Sequence, residues 1–310
     1  MLFNSYRLIR EGSVTTPQLH PLIDKITASM DRLTPKGRIL GEYIVSEPRK
    51  AVFMTTKELA EACEVSEATV VRFVSGIGYD RYSDFQQDLR DFVDTELTLL
   101  DRLDIADIQA PGAARFRRTV AEEIDNLQQL YNTLDVETMQ TVVDVLNRKA
   151  PVHVIGSRLS YTMAYYLGWT MTKVRDNIRI LRGSDRTTID WLTIAPADSV
   201  TVIVATSRYP NELIRLGKLV KRLGHTLVVI TDSTACPVLQ FADHRLIALS
   251  KHIPYLGSPT PMSCLINFLV HELASRQGEI LKAHQAKLEQ SYWENDVLFN
   301  MKKRTPATPE

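Results

Sequence analysis

Two short stretches each place hydroxyl side chains, an arginine and an expected helix start within five residues. Gly156-Ser157-Arg158-Leu159-Ser160 follows the β-branched run Val152–Ile155, and Thr206-Ser207-Arg208-Tyr209-Pro210 follows Val200–Ala205. Hydroxyl groups, the free N–H groups of a helix's first turn and the positive end of its dipole together favour an anionic group such as phosphate. Arg158 and Arg208 add formal charge. The expected ligand-binding residues are therefore Ser157, Arg158, Ser160, Thr206, Ser207 and Arg208, and the expected ligand is a small anion. Ser and Thr also cap helices for stability alone, so both readings stand for these loops.

Groups suited to covalent or acid–base chemistry are few. His271-Glu272 is the only adjacent pair of its kind on the expected closing helix, and neighbouring helix residues point about 100° apart, away from a common substrate. The other histidines, at 20, 153, 225, 244, 252 and 284, lack metal-ligand spacing. Cys63, Cys236 and Cys264 form no C-x-x-C and give no disulfide framework, which fits a reducing compartment. Of a dinucleotide-binding G-x-G-x-x-G only Gly156 is present, and no Walker A, G-x-S-x-G or H-E-x-x-H occurs. No catalytic residue, metal or cofactor is expected.

The elements that must position these residues differ along the chain. Residues 21–100 read as helical and residues 150–250 as alternating strands and amphipathic helices, the pattern of a parallel sheet. Strands are expected at 152–155, 178–181, 200–205, 226–231 and 244–249. The expected fold is an all-α N-terminal domain plus an α/β domain with a doubly wound, five-stranded parallel sheet. The domains are drawn at 1–97, a connector at 98–118 around Pro111-Gly112, 119–285, and a tail at 286–310. In the sheet domain, the binding loops lie at the carboxyl ends of strands, where open α/β sheets hold ligands.

In the helical part, Thr34-Pro35 starts one helix and Glu47-Pro48 ends it. Thr55 or Thr56 caps the next, and Ser66 caps a third that runs to Gly76. The pair around Val65 reads as a helix-turn-helix, with Ala60 at the helix crossing and Val70 and Phe73 packed inward. Glu67, Ala68, Thr69 and Arg72 are expected to face outward. Ser66 and Thr69 suit phosphate or base edges and Arg72 suits guanine or phosphate. Glu64 stands at the turn position where the backbone commonly has positive φ, which leaves two outcomes, a turn of another geometry or strain on the order of 1 kcal/mol.

Leu33-Thr34-Pro35, Ser66-Glu67-Ala68-Thr69-Val70-Val71-Arg72-Phe73, Gly76-Ile77-Gly78-Tyr79 and Tyr82-Ser83-Asp84-Phe85 together resemble the N-terminal domain of the RpiR/MurR family of bacterial transcriptional regulators. In that family Gly usually stands where this chain has Glu64. The resemblance implies that Ser66, Glu67, Thr69 and Arg72 lie on a DNA face. It also implies that Lys57 and the Gly78–Ser83 loop, with Tyr79, Tyr82 and Ser83, lie near the DNA backbone. Residues 130–275 are similar to the SIS (sugar isomerase) domain of the same family, in which Ser157, Ser160, Thr206 and Ser207 match phosphosugar-binding positions. Arg208-Tyr209-Pro210 replaces the small Ser-Gly residues usual there.

The implied protein is a DNA-binding regulator, not an enzyme. It would sense a small anionic metabolite such as a phosphorylated sugar and bind a near-palindromic double-stranded operator as a homodimer or homotetramer. The alternative is a sugar-phosphate isomerase with an accessory helical domain. No apolar run reaches the roughly 20 residues of a membrane span and the N-terminus lacks a signal-peptide pattern, so the expected location is the cytoplasm. The 310-residue chain balances 37 Lys and Arg against 37 Asp and Glu. Residues 1–100 carry 12 basic and 15 acidic side chains, a net of −3, so DNA affinity must come from a few cations on one face.

Overall fold

The computed structural model describes residues 21–52, 54–96, 112–185, 187–250 and 257–299. It divides between Val93 and Asp94 into two compact units.

The first unit is helical: α1 (Pro21–Ser29), a 3-10 turn (Met30–Arg32), α2 (Pro35–Ser46), α3 (Pro48–Ala51), α4 (Thr56–Ala62), α5 (Glu67–Gly76) and α6 (Tyr82–Glu96). Local chemistry sets these starts. The Thr34 hydroxyl accepts from the Gly37 amide at 3.2 Å, with Pro35 opening the helix. Thr55 and Glu58 form a capping box: the Thr55 amide donates to Glu58 Oε2 at 2.7 Å and the Glu58 amide to Thr55 Oγ1 at 3.2 Å. Leu22, Ile26, Leu40, Ile44, Leu59, Val70, Phe73, Phe85 and Leu89 fill the core.

The second unit runs α7 (Gly112–Thr133), α8 (Val136–Leu146), β1 (Val152–Gly156), α9 (Ser160–Met171), β2 (Ile178–Arg182), α10 (Thr188–Ile194), β3 (Val200–Ala205), α11 (Asn211–Leu223), β4 (Thr226–Thr231), β5 (His244–Ile247), α12 (Thr260–Ser275) and α13 (Glu279–Glu294). The five strands are all parallel in the order β2-β1-β3-β4-β5. Val154, Val202, Val228 and Ile230 belong to the core on one face, with α8, α9 and α12; Ile155, Ile203, Leu227 and Val229 belong to the core on the other, with α11. Alternation of side chains along β1, β3 and β4 thus feeds two layers, which explains their continuous apolar runs.

Three expectations meet detail here. Residues 98–111 of the drawn connector lie outside the described residues, while 112–118 form the first turns of α7. Residues 286–294, drawn as tail, are helical in α13, and 300–310 lie outside the described residues. The closing helix expected over 265–281 is two helices, broken at Gly278 with φ 52°.

Arg175 joins these layers. It is 7% exposed and its guanidinium donates to the carbonyls of Leu146, Arg148 (2.7 Å) and Ala150 (2.8 Å). It thereby satisfies the carboxyl end of α8 and the turn into β1, groups that a helix end otherwise leaves unpaired.

Candidate functional site

The order β2-β1-β3 makes β1 and β3 neighbours whose following connections run to opposite sides of the sheet, a topological switch point. The two loops named from sequence meet there. Ser160 Oγ and Thr206 Oγ1 share a hydrogen bond at 2.9 Å, and the Thr206 amide donates to Ser160 Oγ at 3.1 Å. Gly156 is needed at the end of β1: a Cβ there would come within 2.6 Å of the Ser160 carbonyl and 2.7 Å of Ala164 Cβ. That close approach brings Ser160 under the β3 loop.

The other two hydroxyls are already occupied by carboxylates of the chain. Ser157 Oγ donates to Glu212 in the first turn of α11, and Glu212 also accepts from the Ser184 amide at 3.0 Å and the Ser184 hydroxyl at 2.9 Å. The Ser157 hydroxyl foremost, then the Ser184 amide, holds the Glu212 carboxyl below its ordinary range. Asp232, at the end of β4, accepts from the Ser207 amide at 3.0 and 2.9 Å, the Ser207 hydroxyl at 2.9 Å and the Tyr209 hydroxyl at 3.2 Å. Burial foremost, then the charge of Asp232, pushes the Tyr209 phenol well above its usual range, so Tyr209 remains a donor.

Arg158 and Arg208 sit at the tips of the two loops, both exposed and both in the left-handed region, at φ 52° and 64°. Side chains other than Gly, Asn or Asp rarely adopt that conformation. The structure therefore brings together all six sequence-named residues but splits their roles. Ser157 and Ser207 hold internal carboxylates, Ser160 and Thr206 hold each other, and the two arginines face solvent. Glu212, Ser184, Asp232 and Tyr209 were missed by sequence reasoning. Asp232 had a legible signal, a carboxylate at the carboxyl end of a strand; Glu212 had a weaker one, an acid in the first turn of a helix.

In the helical unit, Ser66 caps α5, its hydroxyl accepting from the Thr69 amide at 3.3 Å. Glu64 occupies the turn with φ 53°, so the turn keeps its left-handed geometry with a strained glutamate. The Val65 amide reaches back to the Ala60 carbonyl at 2.9 Å. Lys57, Ser66, Glu67, Arg72 and Ser83 are exposed. Three named residues are placed otherwise. Thr69, expected to face outward, is 8% exposed, and its hydroxyl bonds Ser66 Oγ at 2.9 Å. It lies about 100° round the helix from Ala68 and about 120° from Ser75, toward the side of Val70 and Phe73. Tyr79 is also 8% exposed, its hydroxyl donating to Asp88 at 2.7 Å beneath Lys25 Nζ, which lies 4.3 Å from the ring centre. Tyr82 is half-buried and donates to the Met54 carbonyl at 2.8 Å, and burial pushes its phenol up to about 12. Aromatic packing of Tyr79 and Tyr82 on Phe85 draws both rings inward.

Residues 21–96 match the family model of the helix-turn-helix domain, rpiR family, and residues 146–271 match that of the SIS domain. An uncharacterized HTH-type transcriptional regulator of Haemophilus influenzae is 23% identical over 236 residues, covering 74% of this chain and 80% of that protein. The HTH-type transcriptional regulator HexR of Pseudomonas aeruginosa is 23% identical over 211 residues, 68% of this chain and 73% of that one. Among solved structures, the Vibrio vulnificus NanR protein complexed with ManNAc-6P superposes with a TM-score of 0.53 at 18% identity, over 90% of this chain and 100% of that chain. The sugar isomerase domain of an RpiR transcription factor from Sphaerobacter thermophilus gives 0.53 at 23% identity, over 56% of this chain and 97% of that chain.

Proposed function

We propose, from the premise that the chain belongs to the RpiR family of helix-turn-helix transcriptional regulators carrying a SIS domain, that it is a DNA-binding regulator governed by a small anionic ligand. The ligand class is a phosphorylated sugar or a related anion. The observation that carries the ligand reading is the pair of exposed arginines lifted in left-handed conformation at the β1 and β3 loops. Strained backbone of this kind persists where the surrounding structure over-determines it, and it gathers at functional sites. Because Glu212 and Asp232 already occupy the Ser157 and Ser207 donors, the anion is held at the loop tips by Arg158 and Arg208. Guanidinium groups are suited to bidentate capture of phosphate. The Vibrio vulnificus relative, of the same fold, was solved with ManNAc-6P, which supports a phosphosugar class.

A thermal-shift series tests this. ManNAc-6P and glucose 6-phosphate are compared with the same sugars lacking phosphate. A ligand of the native state raises the melting temperature. The expected result is a rise with a phosphorylated sugar that Arg158→Gly and Arg208→Gly each abolish. The reading is overturned if neither phosphosugar shifts the melting, or if both variants respond like the wild type.

DNA is held, in this reading, by the exposed face of α5 with Lys57 and Ser83 at the backbone. The active form is a homodimer or homotetramer on a near-palindromic operator, placing two copies of α5 about one helical turn apart. Ligand acts by binding DNA-competent and incompetent arrangements unequally. The isomerase alternative needs a general base beside the substrate. Glu212 is a poor one, since its ionised form already accepts from three donors; Glu272 accepts from Gln140 at 2.8 Å.

A further inference from the structure

Ala68, Val71, Arg72 and Ser75 are all exposed and recur at the i, i+3, i+4, i+7 spacing of a single helical face, the one directed away from Val70, Phe73 and Val74. Val71 is the anomaly in that stripe. It is 51% exposed on a helix whose other valines, Val70 and Val74, are at or near full burial. It gains little from packing, and valine is a weak helix former, so neither core nor helix propensity accounts for it. Its neighbours leave it prominent. Ala68 is a bare methyl one turn before it, and Glu67 is drawn toward α4 by a hydrogen bond from Thr56 Oγ1 at 3.0 Å.

Resting on the reading of α5 as the helix that enters the major groove, we propose that Val71, with Ala68 beside it, is a specificity-determining residue that reads the C5-methyl group of thymine. The thymine methyl is the one apolar feature on base edges in the major groove, and apolar side chains are its partners. A β-branched side chain in a helix holds essentially one χ1 rotamer, so Val71 presents its isopropyl group with little entropy left to lose. Arg72, on the same face, then supplies a guanine or phosphate contact at the adjoining step. The operator half-site is thereby expected to carry a thymine next to the base pair or phosphate that Arg72 contacts.

Methyl deletion on the DNA tests this one atom at a time. Duplexes are selected from a random-sequence pool by retention on the full-length chain, and each thymine is replaced singly by deoxyuridine. Affinities are measured for the wild type, Val71→Ala and the near-isosteric Val71→Thr, with helix content and melting checked alongside. Removing a methyl at the contacted thymine is expected to weaken wild-type binding roughly fourfold, the burial of one methyl group expressed as a binding ratio. At that same position Val71→Ala loses little, because the contact is already gone, while Val71→Thr is intermediate. The proposal is overturned if wild type and Val71→Ala lose alike at every thymine, or if no thymine is sensitive. Failure to retain any duplex overturns the DNA-binding reading itself, and this inference with it.

Discussion

Three of the five non-glycine residues with positive φ among the described residues, Glu64, Arg158 and Arg208, stand where each unit turns a corner toward its candidate surface. Glycine would adopt these angles at no steric cost. Glu64→Gly is expected to stabilise the helical unit by up to about 1 kcal/mol, read as a higher denaturation midpoint, with DNA affinity unchanged. Arg208→Gly is expected to raise the midpoint similarly while weakening phosphosugar binding at least tenfold. A fall in stability would show instead that the Arg208 side chain packs for structure. At Arg158 and Arg208 the strain was not legible, because φ is a property of the closed turn. At Glu64 it was one of two outcomes left open by the helix-turn-helix pattern, which commonly sets a positive φ there.

At the scale of elements, caps were legible because they are local. Thr34, Thr55 and Ser66 each bond an amide three residues ahead. Ser66→Ala is expected to cost about 1 kcal/mol and to expose the end of α5 to fraying, measured by amide exchange. Facing was less legible. Thr69, Tyr79 and Tyr82 carry polar tips that suit DNA equally well, and their partners on Ser66, Asp88 and Met54, with the packing of both rings on Phe85, turn them inward. The sheet holds a buried histidine pair, His153 in β1 and His225 before β4, with ring centres 6.1 Å apart. His225 Nδ1 shares a hydrogen bond with Thr201 at 3.1 Å, while His153 Nδ1 and His225 Nε2 have no hydrogen-bond partner among the described residues. Burial foremost lowers His153 to about 4 from 6.5. The folded state therefore binds fewer protons than the unfolded one in this range, so this contribution to stability is present above pH 6.5 and is lost as pH falls toward 4. His153→Gln is expected to flatten that part of the pH–stability curve; an unchanged curve would exclude His153 as its source. Arg175→Ala strands three carbonyls at the turn into β1 and is expected to cost about 3 kcal/mol in chemical denaturation.

Over the whole molecule, a neutral chain divides into a net of −3 in residues 1–100 and +3 in the remainder. With that balance DNA affinity is expected to rest on a few cations, so non-specific binding is expected to be weak. Lys57, Arg72 and Arg81, the last within the Gly78–Ser83 loop expected near the DNA backbone, when doubled in a dimer predict a log affinity against log salt slope of about −5. A slope near −10, or equal affinity of monomer and dimer, would contradict this. By itself the sequence determined the five strands in chain order, the capped starts of α2, α4 and α5, the helix-turn-helix and the two hydroxyl loops, because periodicity and capping act over a few residues. Tertiary structure alone decided what those hydroxyls hold. Ser157 meets Glu212 across 55 residues and Ser207 meets Asp232 across 25, contacts that exist only once β1, β3 and β4 lie side by side. Pairing of the strands thus turned an expected open anion cradle into one filled by the chain's own carboxylates, leaving the arginines at its rim.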